Sequence, residues 1–288
     1  HIRAYGEVCP EAKPIIHLGA TSAFVMDNSD LLIAKQALNL IESELITVID
    51  ALARQAQQHK NLPVLGFTHF QPAQLTTLGK RICMWLQDFA WDLAELRHVR
   101  DNLPFLGMKG ATGTQASVLK LFDGDQDKVE QLDVAVAKAL GFNKSLIISG
   151  QTYSRKVDSR VYAVLCGIAE SAAKMATDIR LLQHLGEVFE PFGEHQVGSS
   201  AMPYKRNPMA CERICGISRF LITLTHNGSL TASSQWLERS LDDSSNKRIA
   251  TPEALLAADS ILRIAYEVAD GLFVSPARIK AHIARELP

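Results

Sequence analysis

The amino-acid sequence predicts a mainly α-helical bundle of long helices. Apolar residues recur at alternating steps of three and four over stretches of about 30 residues, the period of a helix face rather than of a strand. No stretch shows the strict apolar–polar alternation of a half-buried strand. The composition, 47% hydrophobic and 21% charged over 288 residues, suits a folded chain with a substantial core. Helices that long far exceed the usual globular mean of about 11–12 residues. Apolar on more than one face, they are expected to pack against further copies of the chain.

Residues 1–27 read as irregular, punctuated by Gly6, Pro10, Pro14 and Gly19. Asn28 or Ser29 is the expected N-cap of the first rod. Its seam is Leu31, Ala34, Leu38, Ile41, Leu45, Val48 and Leu52, with Ile33, Leu40 and Ile49 off the seam. The rod stops before Asn61-Leu62-Pro63, and Val64-Leu65-Gly66-Phe67 leads into Thr68-His69-Phe70-Gln71-Pro72, read as the start of the next helix. That second rod carries Leu75, Leu78, Ile82, Trp85, Phe89, Leu93 and Leu96. After a glycine-broken loop from Gly107 to Gly113 comes a short helix, Gln126 to Leu140, with Gly141 as its stop. Gly150-Gln151-Thr152-Tyr153 precedes a third rod with Val157, Val161, Val164, Ile168, Met175, Ile179 and Leu182. A further helix is expected from Met209 toward His226, then mixed helix and loop over 229–250. A last helix should begin near Pro252, a residue suited to a first turn, and end by Gly271.

Several function classes fall away on composition. A net charge of −1 supplies no basic field for nucleic acid. No apolar run reaches the ~18 residues of a membrane span. Cys9, Cys83, Cys166, Cys211 and Cys215 are odd in number and scattered, which points to reduced thiols and a cytoplasmic setting. No His, Cys, Asp or Glu cluster has metal spacing, so no metal is expected, and chemistry by proton transfer alone would need no redox cofactor. Gly110-Ala111-Thr112-Gly113-Thr114 lacks the Lys-Ser/Thr and the preceding strand of a phosphate loop, and reads as a hinge or loop wall.

Chemistry concentrates between the third rod and the helix at Met209. Gly198-Ser199-Ser200-Ala201-Met202-Pro203-Tyr204-Lys205-Arg206-Asn207-Pro208 has no apolar period, and its glycine and prolines keep it out of regular structure. Two serine hydroxyls, an ammonium, a guanidinium and an amide crowd into this loop. The pattern Gly-Ser-Ser-x-Met-Pro-x-Lys-x-Asn-Pro resembles the signature of the fumarase/aspartase superfamily, whose members eliminate fumarate or a close analogue from a succinyl group.

The resemblance implies a homotetramer with a shared central bundle, and active sites to which three chains contribute. It implies that the chain holds the end of an N-terminal domain (1–21), a central long-helix domain (22–274) with the signature loop 198–208, and the start of a C-terminal domain (275–288). Further contacts, a histidine among them, would lie upstream of His1.

It also implies residue roles. Ser199 resembles the general base, with Ser200 as the competing candidate, and His69 in Thr68-His69-x-Gln-Pro-Ala resembles the general acid. Lys205 and Asn207 resemble stabilisers of the carboxylate on which charge develops, and Thr21 and Ser22 donors to a succinyl carboxylate. Gln151 and Arg213 resemble further contacts to the succinyl or nucleotide part, beside Thr68. Arg239, Ser244 and Arg248 resemble the phosphate set of the branch that acts on succinylated nucleotides. Ion pairs from Arg239 and Arg248 to Glu238, Asp242 or Asp243 are the alternative reading.

Anti elimination adds a second negative charge to an ionised carboxylate. It therefore needs a base at carbon, cations and N–H donors at the carboxylate, and an acid at the departing nitrogen. A serine serves as base only where its alkoxide is stabilised, so a loop rich in backbone N–H groups beside Lys205 suits it. Two rivals remain. One is another fumarate-releasing lyase such as argininosuccinate lyase, which Tyr204, Arg206 and the 239–248 segment disfavour. The other is a catalytically silent protein on the same scaffold. His195 reads as solvated, and His59, His98, His184, His226 and His282 read as ordinary surface or helix-face residues, while His17 is a candidate support for the Thr21-Ser22 turn.

Overall fold

A computed structural model of the chain describes residues 2–193, 199, 201–202 and 204–287. The described residues are mainly helical. The long helices are α2 (Ser22–Gln58), α3 (Leu78–Asp101), α6 (Lys156–His184), α7 (Met209–Ser234) and α8 (Asp242–Asp270). Shorter ones are α1 (Ile2–Val8), α4 (Ala116–Leu121), α5 (Gln126–Ala139) and α9 (Pro276–Glu286). The chain divides into two compact units. The first holds His1–Leu38, Arg100–Arg160 and Asn227–Lys247, and the second Asn39–Val99, Val161–His226 and Arg248–Pro288.

The first unit corrects two expectations. Residues 2–8 are helical, and Pro10–Ala12 form a 3₁₀ turn, so the start is not irregular throughout. Helix α2 begins at Ser22, not at Asn28 or Ser29. Thr21 Oγ1 accepts the Phe24 N–H at 3.1 Å, an N-cap bond. Asn28 is buried inside the helix and works elsewhere: Nδ2 donates to Phe24 O at 2.9 Å and Oδ1 accepts the Leu106 N–H at 2.9 Å. Around it Phe24, Phe105 and Phe142 pack ring to ring, each adjacent pair of centroids 5.8 Å apart. Buried Lys109 donates to Leu106 O at 3.3 Å and Leu146 O at 2.5 Å, which ties the glycine-broken loop to the segment before Gln151. Helix α5 stops where expected, with Gly141 at φ 75°.

In the second unit the apolar seams lie inside. Leu45, Val48 and Leu52 of α2, Ile82, Trp85, Phe89 and Leu96 of α3, and Ile168, Met175 and Ile179 of α6 are all buried. Each large aliphatic side chain so buried contributes about 1.5–3 kcal/mol. Alanines 169, 172 and 176 on α6, and 254, 258 and 265 on α8, are also buried, which lets backbones approach closely. Off-seam Leu40 is exposed, as is Leu256.

Strands are present, against expectation. β1 (Pro63–Thr68) and β2 (Gln71–Thr77) form an antiparallel hairpin with an irregularity at Gly66, where an added Cβ would lie 2.6 Å from Gln74 O. Leu75 therefore sits on β2, exposed, and α3 starts only at Leu78. β3 (Val188–Phe189) pairs with β4 (Phe273–Val274). Two helix bounds also differ. α7 runs on to Ser234, and α8 begins at Asp242 with Pro252 inside it. Proline has no N–H, so that helix lacks the bond to the Arg248 carbonyl. His282, read as an ordinary surface or helix-face residue, is on helix α9 but buried. Its Nδ1 lies 2.6 Å from Oε1 of buried Glu187, and its ring is 5.9 Å from that of Phe67 on β1.

Candidate active site

Within the second unit, two side chains secure the segment that carries the signature loop. Buried Glu190 accepts the Ala210 and Cys211 N–H groups at 3.0 and 2.8 Å, satisfying two orphan donors at the positive end of α7. Gln183 of α6 accepts the Glu190 N–H at 3.2 Å through Oε1 and donates Nε2 to Arg206 O at 3.0 Å. The Arg206 guanidinium lies 4.9 Å from the Phe192 ring centroid.

Inside the loop, Ser199 Oγ accepts the Met202 N–H at 3.2 Å and the Ala201 N–H at 3.4 Å. Two backbone dipoles thus point at the one oxygen that must carry negative charge if it is to act as a base. The Lys205 N–H donates to Met202 O at 3.0 Å, while the Lys205 side chain is exposed and Asn207 half-buried. Ser200 and His195 lie outside the described residues.

His69 does not open a helix. It occupies the tip of the β1–β2 hairpin, exposed with Thr68, and has φ 52° while Phe70 has φ 58°. A two-residue hairpin loop with both φ values positive favours Asn-Gly. Left-handed backbone disfavours other residues by roughly 1–2 kcal/mol each. Strain of this kind clusters where function requires the side chain. Arg213 on α7 and Arg248 on α8 are exposed.

The first unit holds the remaining sequence-derived residues. Thr21 spends a lone pair on the cap of α2, which leaves its O–H free to donate; Ser22, next to it, is exposed. Gln151 and Arg239 are brought together: Arg239 Nη1 donates to Gln151 Oε1 at 3.1 Å, and the Gln151 N–H donates to Glu238 O at 3.0 Å. Gly150 is needed for this approach, since a Cβ there would lie 2.3 Å from Glu238 O. Ser244 stands half-buried in the first turn of α8. The ion pairs considered for Arg239 are replaced by other partners. Asp242 accepts from Ser240, Ser234 and Gln235, and Asp243 accepts from Arg155.

The sequence reading missed Gln183, Glu190, Asp27 and Arg155, none of which lies in a motif, and it named Asp243 only as a partner for Arg239 or Arg248, whereas it accepts from Arg155. Asp27 and Arg155 form a buried bidentate pair at 3.1 Å per bond. Burial pushes the Asp27 carboxyl up from its ordinary value, and Arg155 opposes that shift. Among the described residues, no group of three or more His, Cys, Asp or Glu could hold a metal ion. No helix among them is long and apolar enough to cross a membrane.

A fold of long helices, with a serine–lysine loop joining two of them, defines a class. The chain belongs to the Lyase_1 family, described as lyase, whose model matches residues 4–222. It is 53% identical over 288 residues to adenylosuccinate lyase of Saccharomyces cerevisiae, covering all of this chain and 60% of the yeast protein. It is 52% identical to adenylosuccinate lyase of Schizosaccharomyces pombe over the same length, again 60% of that protein. The chain thus spans about 60% of the length of these curated relatives. Among solved structures, 3-carboxy-cis,cis-muconate lactonizing enzyme from Pseudomonas putida superposes with a TM-score of 0.84 at 30% identity, covering 98% of this chain and 61% of that one.

Proposed function

We propose that the protein is an adenylosuccinate lyase, a carbon–nitrogen lyase of purine biosynthesis. It releases fumarate from adenylosuccinate to give AMP, and from succinylaminoimidazole carboxamide ribotide to give the carboxamide ribotide. The observation that carries this reading is the 53% identity, over all 288 residues, to a curated adenylosuccinate lyase.

In this reading Ser199 removes the proton from the succinyl carbon. The two N–H groups on its Oγ support the alkoxide form. Lys205 and Asn207 stabilise the carboxylate as its charge grows, and His69 protonates the departing nitrogen. Thr21 and Ser22 bind the succinyl carboxylate, while Thr68, Gln151 and Arg213 hold the succinyl and nucleotide parts. Arg239, Ser244 and Arg248 take the phosphate, for which guanidinium forks are well shaped. The protein works in the cytoplasm as a homotetramer whose subunits share active sites, with no metal or redox cofactor in the proton transfers.

The test is turnover of each succinylated substrate by the full-length protein, followed by the ultraviolet change on loss of the succinyl group. Turnover of both, abolished by Ser199→Ala with assembly intact, is the expected result. Cleavage of argininosuccinate instead, or near-normal rates for the variant, would overturn the substrate or the base respectively.

A further inference from the structure

Within the first unit, the segments supplying Thr21 and Ser22, Gln151, and Arg239 and Ser244 come from distant parts of the sequence, and one buried guanidinium joins them. Arg155 Nη1 and Nη2 donate to Asp27 Oδ2 and Oδ1 at 3.1 Å each, and Nε donates to Asp243 Oδ2 at 2.6 Å. Asp27 lies on α2 shortly after Thr21 and Ser22. Arg155 follows Gln151 in the segment that enters α6, and Asp243 is the chain neighbour of Ser244.

Further contacts extend the cluster. Asp27 Oδ2 also accepts the Tyr153 N–H at 3.0 Å, and the Arg155 guanidinium lies 4.5 Å from the Tyr153 ring centroid. Lys247 Nζ donates to Tyr153 Oη at 2.7 Å and pairs with Asp158 at 3.3 Å and Asp30 at 3.2 Å. Side-chain exposures of 3% for Arg155, 5% for Asp27 and 2% for Asp243 leave no surface for a ligand to touch. A planar fork shared between two carboxylates holds them at one separation, which a lysine ammonium, a point charge on a flexible stem, does not.

We propose that Arg155 is a positioning residue. It sets the spacing of the three substrate-binding segments, and through it the affinity for the nucleotide, without contacting substrate. This rests on the adenylosuccinate lyase reading above. Its signature is a loss of binding with chemistry preserved, because Ser199, Lys205 and His69 belong to other segments.

The experiment uses the full-length protein with Arg155→Lys, which keeps the charge and removes the fork. Asp243→Asn, which keeps the shape, serves if Arg155→Lys does not fold. KM for adenylosuccinate and the inhibition constant of AMP are expected to rise together by roughly tenfold, with kcat within about threefold of wild type. A purely structural role would instead lower the melting temperature and the active fraction while leaving KM of the remaining enzyme unchanged. That outcome, or both constants within about twofold of wild type in a folded variant, overturns the inference alone. Wild-type protein that neither cleaves adenylosuccinate nor binds AMP overturns the functional reading, and this inference with it.

Discussion

Replacing His69 by Asn separates strain from chemistry at the hairpin tip. His69 has φ 52° and an exposed side chain, so asparagine, which tolerates left-handed backbone, loses little packing and fits the turn better. Relief of part of a penalty of about 1–2 kcal/mol should leave the melting temperature unchanged or raise it by roughly 2–4 °C. Asparagine has no titratable proton to give the departing nitrogen. If His69 is the general acid, as proposed, its loss should therefore lower kcat by about 10²–10⁴-fold. Thermal melting and steady-state turnover of adenylosuccinate by the full-length protein read both effects on one sample. A variant that melts at or above wild type and is nearly inactive supports the reading. Turnover within about tenfold of wild type would remove His69 from the acid's role. A clear fall in melting temperature would show that the positive φ is held for stability instead.

Two further outcomes follow from the packing. Burial raises the Asp92 carboxyl to about 6, with Ser171 opposing and Asp88 and Glu170 adding to the rise. The folded state then binds more protons than the unfolded state between about pH 4 and 6, so stability falls as pH rises through that window, by up to ~3 kcal/mol. Asp92→Asn should flatten this slope and stabilise the protein above pH 6, as equilibrium denaturation at several pH values would measure. Gly150→Ala would force a Cβ against Glu238 O and part the strands of chain that join Gln151 to Arg239. A destabilisation of about 1–3 kcal/mol is expected, together with a raised KM for adenylosuccinate, read in the same turnover assay.

The rods were legible in the sequence because a repeated three–four spacing survives whatever surrounds it: Leu31, Leu38, Ile41, Leu45, Val48 and Leu52 are all buried along α2. The hairpin was not. Pro63–Thr68 and Gln71–Thr77 lack alternation, and His-Phe stands where Asn-Gly would have announced the turn. Asn28 misled because its amide serves contacts across the fold rather than a local cap. Pro252 misled because a preference for first turns yields, inside a well-packed helix, to burial of neighbours such as Ala250 and Ala254. The Ser199 loop carried its own chemistry in its residue types, whereas the Arg155 cluster exists only once distant carboxylates meet.

The thiols give the helix bundle a built-in clock. Cys211 is fully buried on α7, and burial, reinforced by Glu190, pushes its thiol well above the ordinary range, whereas Cys83 on α3 is exposed. Alkylating reagents attack thiolates, so Cys83 marks the intact molecule quickly. Cys211 reacts only when α7 leaves its bed, and its slow modification times the breathing of the helix that follows the serine loop.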